Sequence, residues 1–145
     1  MSELLRSIAM RLRELISDRR RAPRYRVRLP LSVTLIDAPP VAPGSRKKLS
    51  LDGHTRDVSA TGLAIIVPAI RLGDRYLTGE DRQLRISLEL PTGPVEIFAF
   101  PVRYEQLAAE EADDIGFLIG VQIAEMSQED RGRFERFIAL LSRHR

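Results

Sequence analysis

Two short segments hold the side chains with the most chemical capacity. Arg19-Arg20-Arg21-Ala22-Pro23-Arg24 clusters guanidinium groups, and Asp57-Val58-Ser59-Ala60-Thr61-Gly62 sets a carboxylate and a hydroxyl two residues apart, ahead of a glycine. Guanidiniums grip phosphate and the Hoogsteen edge of guanine, whereas a carboxylate, which only accepts hydrogen bonds, suits the N–H-bearing Watson–Crick edge. A guanine nucleotide carrying phosphodiesters presents both kinds of surface.

Each segment alone has a plainer explanation. Pro23 biases Ala22 away from the α region, so the arginine segment is expected to be extended or turned. Arg20 and Arg24, four apart, then project to one side, as they also would on a helix. The plain alternative for any one of these arginines is a solvated side chain. Asp57 and Ser59, two apart on a strand, share a face, and Gly62 permits positive φ and close approach of a ligand. The alternative here is a hairpin whose Asp and Ser satisfy turn backbone groups.

Positioning these groups requires a scaffold, and the hydropathy pattern supplies one. Residues 2–17 read as an amphipathic helix, with Leu5, Ile8, Leu12 and Leu15 at three-four-three spacing and Leu4 and Ile16 widening the stripe. From Val27 the period becomes two: Val27, Leu29, Leu31, Val33 and Leu35 alternate with polar residues and Pro30, which suits an edge or bulge. Residues 37–48, with three prolines, a glycine and Arg46-Lys47-Lys48, predict a long mobile loop. Further strands are expected over 49–59, 62–67, 84–90, 95–104 and 117–123, with a turn at Pro91-Thr92-Gly93-Pro94 and an acidic loop at 110–114. Six strands with hairpin-like spacing are best satisfied by a closed antiparallel barrel, which leaves no unpaired edge. Ser127 and Asp130 resemble a capping box opening a C-terminal helix, whose stripe Phe134, Phe137, Ile138, Leu141 is expected to plug one side of the barrel.

Composition fits one mainly β domain: 145 residues, 43% hydrophobic. The one composition shift, near residue 18, separates the helical segment 1–18 from the barrel segment 19–145. No apolar stretch approaches the ~18–20 residues needed to cross a bilayer, and no secretory signal pattern is present. The absence of cysteine excludes disulfides, a thiol nucleophile and thiolate metal sites, and fits a cytoplasmic setting. Residues 1–28 carry nine arginines against three acids, a local charge of +6 in a chain of net +3. A basic end on a slightly acidic body points to an anionic partner there.

Taken together, the two segments resemble the signatures of the PilZ domain family of bacterial cyclic di-GMP receptors. Those signatures are arginine-x-x-x-arginine, met by Arg20 and Arg24, and Asp/Asn-x-Ser-x-x-Gly, met by Asp57, Ser59 and Gly62. The resemblance covers roughly residues 19–141 and implies a six-stranded antiparallel barrel that binds cyclic di-GMP on its outer surface. It implies that Arg20 and Arg24 contact phosphates and guanine edges, that Asp57 and Ser59 bond guanine or hold an arginine, and that Gly62 allows close approach. Arg19, just before the first signature arginine, is the position associated in this family with ligand number, and a cation there implies an intercalated ligand dimer. The N-terminal helix and the 37–48 loop are not core parts of the pattern.

Other classes are less well supported. His54 and His144 are far apart, and no metal-ligand spacing, nucleophile motif or phosphate loop appears, so neither an enzyme nor a cofactor is expected. Single-stranded nucleic-acid binding would want aromatics interleaved with the arginines, and only Tyr25 stands there. A protein-interaction adaptor of the same fold typically lacks the signature residues. The expected mechanism is a switch: ligand orders the arginine segment and redirects the N-terminal helix toward an effector protein or a second copy of the chain.

Overall fold

The computed structural model describes residues 22–36, 50–73, 75–78, 82–107 and 116–143. The expected N-terminal helix, Arg19, Arg20, the 37–48 loop and the acidic loop at 110–114 lie outside these residues. The described chain forms nine strands and one helix: β1 (Tyr25–Arg26), β2 (Pro30–Leu35), β3 (Leu51–Val58), β4 (Gly62–Val67), β5 (Arg71–Leu72), β6 (Arg75–Tyr76), β7 (Leu84–Leu90), β8 (Gly93–Gln106), β9 (Phe117–Glu125) and α1 (Gln128–Arg143).

Six strands close on themselves in the order β3-β2-β7-β8-β9-β4, and β4 returns to β3, every pairing antiparallel. The expected barrel is therefore present, and its interior holds the alternate apolar residues of every strand. Leu31, Val33 and Leu35 of β2, Leu84, Ile86 and Leu88 of β7, and Ile119, Val121 and Ile123 of β9 are all in the buried cluster. The small hairpin β5–β6 lies in a stretch, 68–78, that carries no alternation strong enough to announce it.

β4 departs from simple alternation because both its faces are buried. Leu63, Ile65 and Val67 face inward, while Ala64 and Ile66 join Leu118 and Leu107 in a second, external apolar cluster. An unbroken apolar run such as Leu63–Val67 is the expected signature of a strand covered on both sides.

Several local irregularities interrupt the barrel's ladders. Along the β1–β2 stretch the ladder to β3 is interrupted at Val27–Leu29, and Thr55 bridges the gap. Its buried hydroxyl donates to the Val27 carbonyl at 2.5 Å and accepts from the Leu29 amide at 2.9 Å, while its own amide donates to the Leu29 carbonyl. Pro30, lacking an N–H, begins β2 beside this gap, as its chemistry requires. In β8 the register shifts between Pro101 and Arg103, so that mid-strand proline also sits at a bulge.

α1 seals one side of the barrel. Phe134 is completely buried in the core, and Phe137, Ile138 and Leu141 pack against it. The Ser127 hydroxyl accepts the Asp130 amide at 3.1 Å, the first half of the expected capping box. The Asp130 carboxylate does not reach back to close that box; it accepts the Glu96 amide of β8 at 3.0 Å, and Arg133 donates to the Pro94 carbonyl. The cap therefore fastens the helix to the β7–β8 hairpin. Gly116, at φ +135°, precedes β9 where an added Cβ would stand 2.2 Å from the Val67 carbonyl oxygen, so only glycine fits.

Thr55→Val keeps the shape of the buried side chain but leaves the Val27 carbonyl and Leu29 amide without their partner. We expect a loss of about 1–3 kcal/mol, read as a lower urea midpoint at an unchanged m-value.

Candidate functional site

A further irregularity, in β3, creates the site. Thr55 pairs with Ile65 and Asp57 with Ala64, so Arg56 is the extra residue of a β-bulge. Before the bulge Leu51 faces the core; after it Val58 does, with no exposed surface. Inward parity thus changes from odd to even residues, and Asp57 and Ser59 are turned to the outside. Without the bulge Asp57 would share the inward face of Leu51.

Arg24 stands immediately before β1, which pairs Tyr25 with Val58 and Arg26 with Asp57. This register carries Arg24 to the carboxylate. Arg24 Nη1 donates to Asp57 Oδ1 at 2.6 Å, and Arg56 Nε lies 3.5 Å from Oδ2. The Asp57 side chain is 10% exposed and that of Arg24 31%, so the shorter contact is a charge-assisted bond partly screened from water. The Arg56 contact, at the limit of bonding distance and 34% exposed, is the weaker of the two.

Ser59 and Gly62 form the turn that follows. The Ser59 hydroxyl accepts the Gly62 amide at 3.0 Å and the Thr61 amide at 3.3 Å, and donates to the Gly62 carbonyl at 3.2 Å. Two acceptances and one donation exhaust a hydroxyl's capacity. The turn-satisfying role weighed for this serine is therefore what the geometry displays. Gly62 opens β4 opposite Gln122 and is not among the left-handed glycines of the described residues, which are Gly73, Gly93 and Gly116. Freedom for positive φ is not what the position uses.

The structure thus brings together four of the six expected residues: Arg24, Asp57, Ser59 and Gly62. Arg19 and Arg20 precede Ala22, outside the described residues. Three contributors escaped the sequence reading. Arg56 shares the carboxylate, and Thr55 fixes the arginine-bearing strand. Arg103 of β8 lies over Gly120, its Cγ 3.0 Å from where a Cβ would stand. Thr55 alone left a trace, as a polar residue at an inward-parity position. The surface around the pair is basic. A shallow groove of about 290 Å³ is lined by Arg26, Arg28, His54, Arg56 and Ile66, and a smaller one, about 170 Å³, by Arg56, Arg103, Tyr104, Glu105 and Leu118. Among the described residues no cluster of His, Asp and Glu could hold a metal ion, and no helix is long and apolar enough to cross a membrane.

A family model described as the PilZ domain matches residues 18–140. Among solved structures, the chain is similar to the PilZ domain of YcgR from Escherichia coli, solved with c-di-GMP, at 14% identity and a TM-score of 0.60, covering 87% of this chain and 93% of that one. It is also similar to the Bacillus subtilis inhibitor of motility MotI/DgrA at 15% identity and a TM-score of 0.59, covering 86% of this chain but only 51% of that longer one. The PilZ domain of CeSA from a cellulose-synthesizing bacterium aligns at 18% identity with a TM-score of 0.53, over 83% and 98% of the two chains. At these identities the likeness establishes a shared fold. A search of curated protein sequences finds no match.

The hydrogen-bond geometry separates two kinds of residue in this site. Ser59→Ala strands two turn amides and should destabilise the fold by about 1–3 kcal/mol, while Arg56→Ala, which gives up one long and partly exposed contact, should cost under about 0.5 kcal/mol. Urea denaturation of the two variants beside the native chain measures the difference; equal losses would contradict this division.

Proposed function

Because the chain belongs to the PilZ domain family, we propose that it is a receptor for cyclic di-GMP that works as a switch without catalysis. The observation that carries this reading is the 2.6 Å Arg24–Asp57 bond, which joins the two signature segments on the outer face of the barrel. The E. coli YcgR domain, alike in fold, was solved with that ligand.

In this reading Arg20 and Arg24 engage phosphates and guanine edges, and Asp57 either receives guanine N–H groups or holds Arg24 in position. Ser59 acts through the turn it stabilises, its own bonding capacity being used there, and Gly62 allows close approach. Arg19 holds a second, intercalated cyclic di-GMP. The domain spans 19–145, and the helical segment 1–18 is the output element. Ligand neutralises the Arg19–Arg24 cluster and orders it, which redirects the segment toward an effector protein governing motility, biofilm or exopolysaccharide production, or toward a homodimer partner. Such a switch draws its free energy from the ligand's unequal affinity for two states. No nucleic acid, metal or further cofactor takes part, and the setting is cytoplasmic. The second reading, an adaptor of the same fold that binds no nucleotide, is disfavoured because both signatures are intact.

Calorimetric titration with cyclic di-GMP tests the proposal. The native chain should saturate at two ligands per protomer, and Arg19→Ala should reduce this to one. Arg20→Ala and Asp57→Ala should each weaken binding by at least about tenfold, the equivalent of one charge-assisted hydrogen bond. No saturable binding by the native chain would favour the adaptor; undiminished binding by both variants would place the site elsewhere.

A further inference from the structure

β9 contributes one residue to the outer face beside the signature turn, and neither signature includes it. Val121 and Ile123 are in the barrel core, so Gln122 between them projects outward, directly opposite Gly62. It is fully buried. Its Nε2 donates to the Thr61 carbonyl, which also accepts the Ile123 amide at 3.0 Å. Its Oε1, held one amide width from the turn, has no hydrogen-bond partner, and neither has the buried Thr61 hydroxyl close by. A buried carbonyl without a donor is costly, by an amount comparable to a whole hydrogen bond.

The surroundings of this amide suit a flat ring. The cross-strand row Asp57–Ala64–Gly120–Arg103 runs next to the pair Gly62–Gln122. Gly62, Ala64 and Gly120 therefore form a row of small, buried residues one strand spacing wide and one two-residue step long, about 5 by 7 Å, with the Arg103 side chain lying over Gly120, where a base would displace it. That is the scale of a nucleobase, and Asp57, Gln122 and Arg103 stand around it.

Resting on the receptor reading above, we propose that Gln122 determines base specificity: its Oε1 accepts the guanine 2-amino group of the bound dinucleotide. The chemistry narrows the choice. An amide oxygen cannot bond a phosphate oxygen, guanine O6 or N7, since all are acceptors, and those groups are what the arginines recognise. What remains on the base is the N–H edge. There the 2-amino group has two hydrogens: one lies alongside N1–H for a carboxylate such as Asp57, and the other is directed away from that pair, free for a second acceptor.

The test compares cyclic di-GMP with its inosine analogue, which lacks only the 2-amino groups, on the native chain and on Gln122→Met. The native chain should prefer cyclic di-GMP, and the variant should lose about three- to tenfold of that preference, the worth of one neutral hydrogen bond, keeping only the part that Asp57 supplies. An unchanged preference in the variant overturns the assignment while leaving the receptor intact; no binding of cyclic di-GMP by the native chain overturns both. Should the variant fold poorly, the side-chain amide resonance of Gln122 in the native chain decides the matter. It should move on saturation with cyclic di-GMP and stay in place with the inosine analogue, and equal movement with both would refute the role.

Discussion

One extra residue in β3 governs the whole arrangement. A strand that kept strict alternation through Leu51 and Thr55 would carry Asp57 into the barrel, where an ionised carboxylate among leucines and valines is untenable. The bulge at Arg56 reverses the parity, seats Val58 in the core and sets Asp57 on the outside. The same region binds the preceding arm of the chain through Thr55, so one stretch of β3 both orients the acid and fixes the strand that delivers Arg24 to it. Fold and site are not separable here, because the irregularity that makes the site also shapes the closure of the barrel.

The site divides its labour between groups whose bonds are complete and groups whose bonds can be exchanged. Ser59 has no capacity left, and its task is to hold the Ala60-Thr61 turn rigid. The Arg24–Asp57 bond is different: both partners are ionic, one is a third exposed, and a phosphate or a guanine edge could replace either half without leaving a charge bare. In the proposed receptor, a pre-formed turn beside an exchangeable ion pair would let an anionic ligand compete for the arginines without unfolding the edge of the barrel. The basic surface around Arg26, Arg28 and Arg56 would raise the local concentration of such a ligand.

Much of this was legible in the residues. The period-two runs in β2, β7 and β9 announce themselves because each strand has one face in the core, and the Phe134 stripe marks α1 for the same reason. Both signature segments are readable since their residue types are unusual at that spacing. What escaped has a common physical cause: it depends on which strands become neighbours. The bulge at Arg56 arises from the pairing of β3 with β4, and nothing in Thr55-Arg56-Asp57 declares it. Gln122 looks like an ordinary outward polar residue until Gly62 is placed opposite it. The Asp130 side chain, read as half of a cap, finds a better acceptor role on β8 than on its own helix.

The burial of Phe134 also bears on how the molecule comes into being. Its ring fills the interior of a barrel whose first wall is laid down at Leu29, so the core stays open until α1 has been made and has folded back onto β8 and β1. Folding in step with synthesis would give an incomplete, sticky barrel with β4 unpaired to β9. Completion of the core is thus tied to the last elements of the described chain, β9 and α1, rather than to the strands made first.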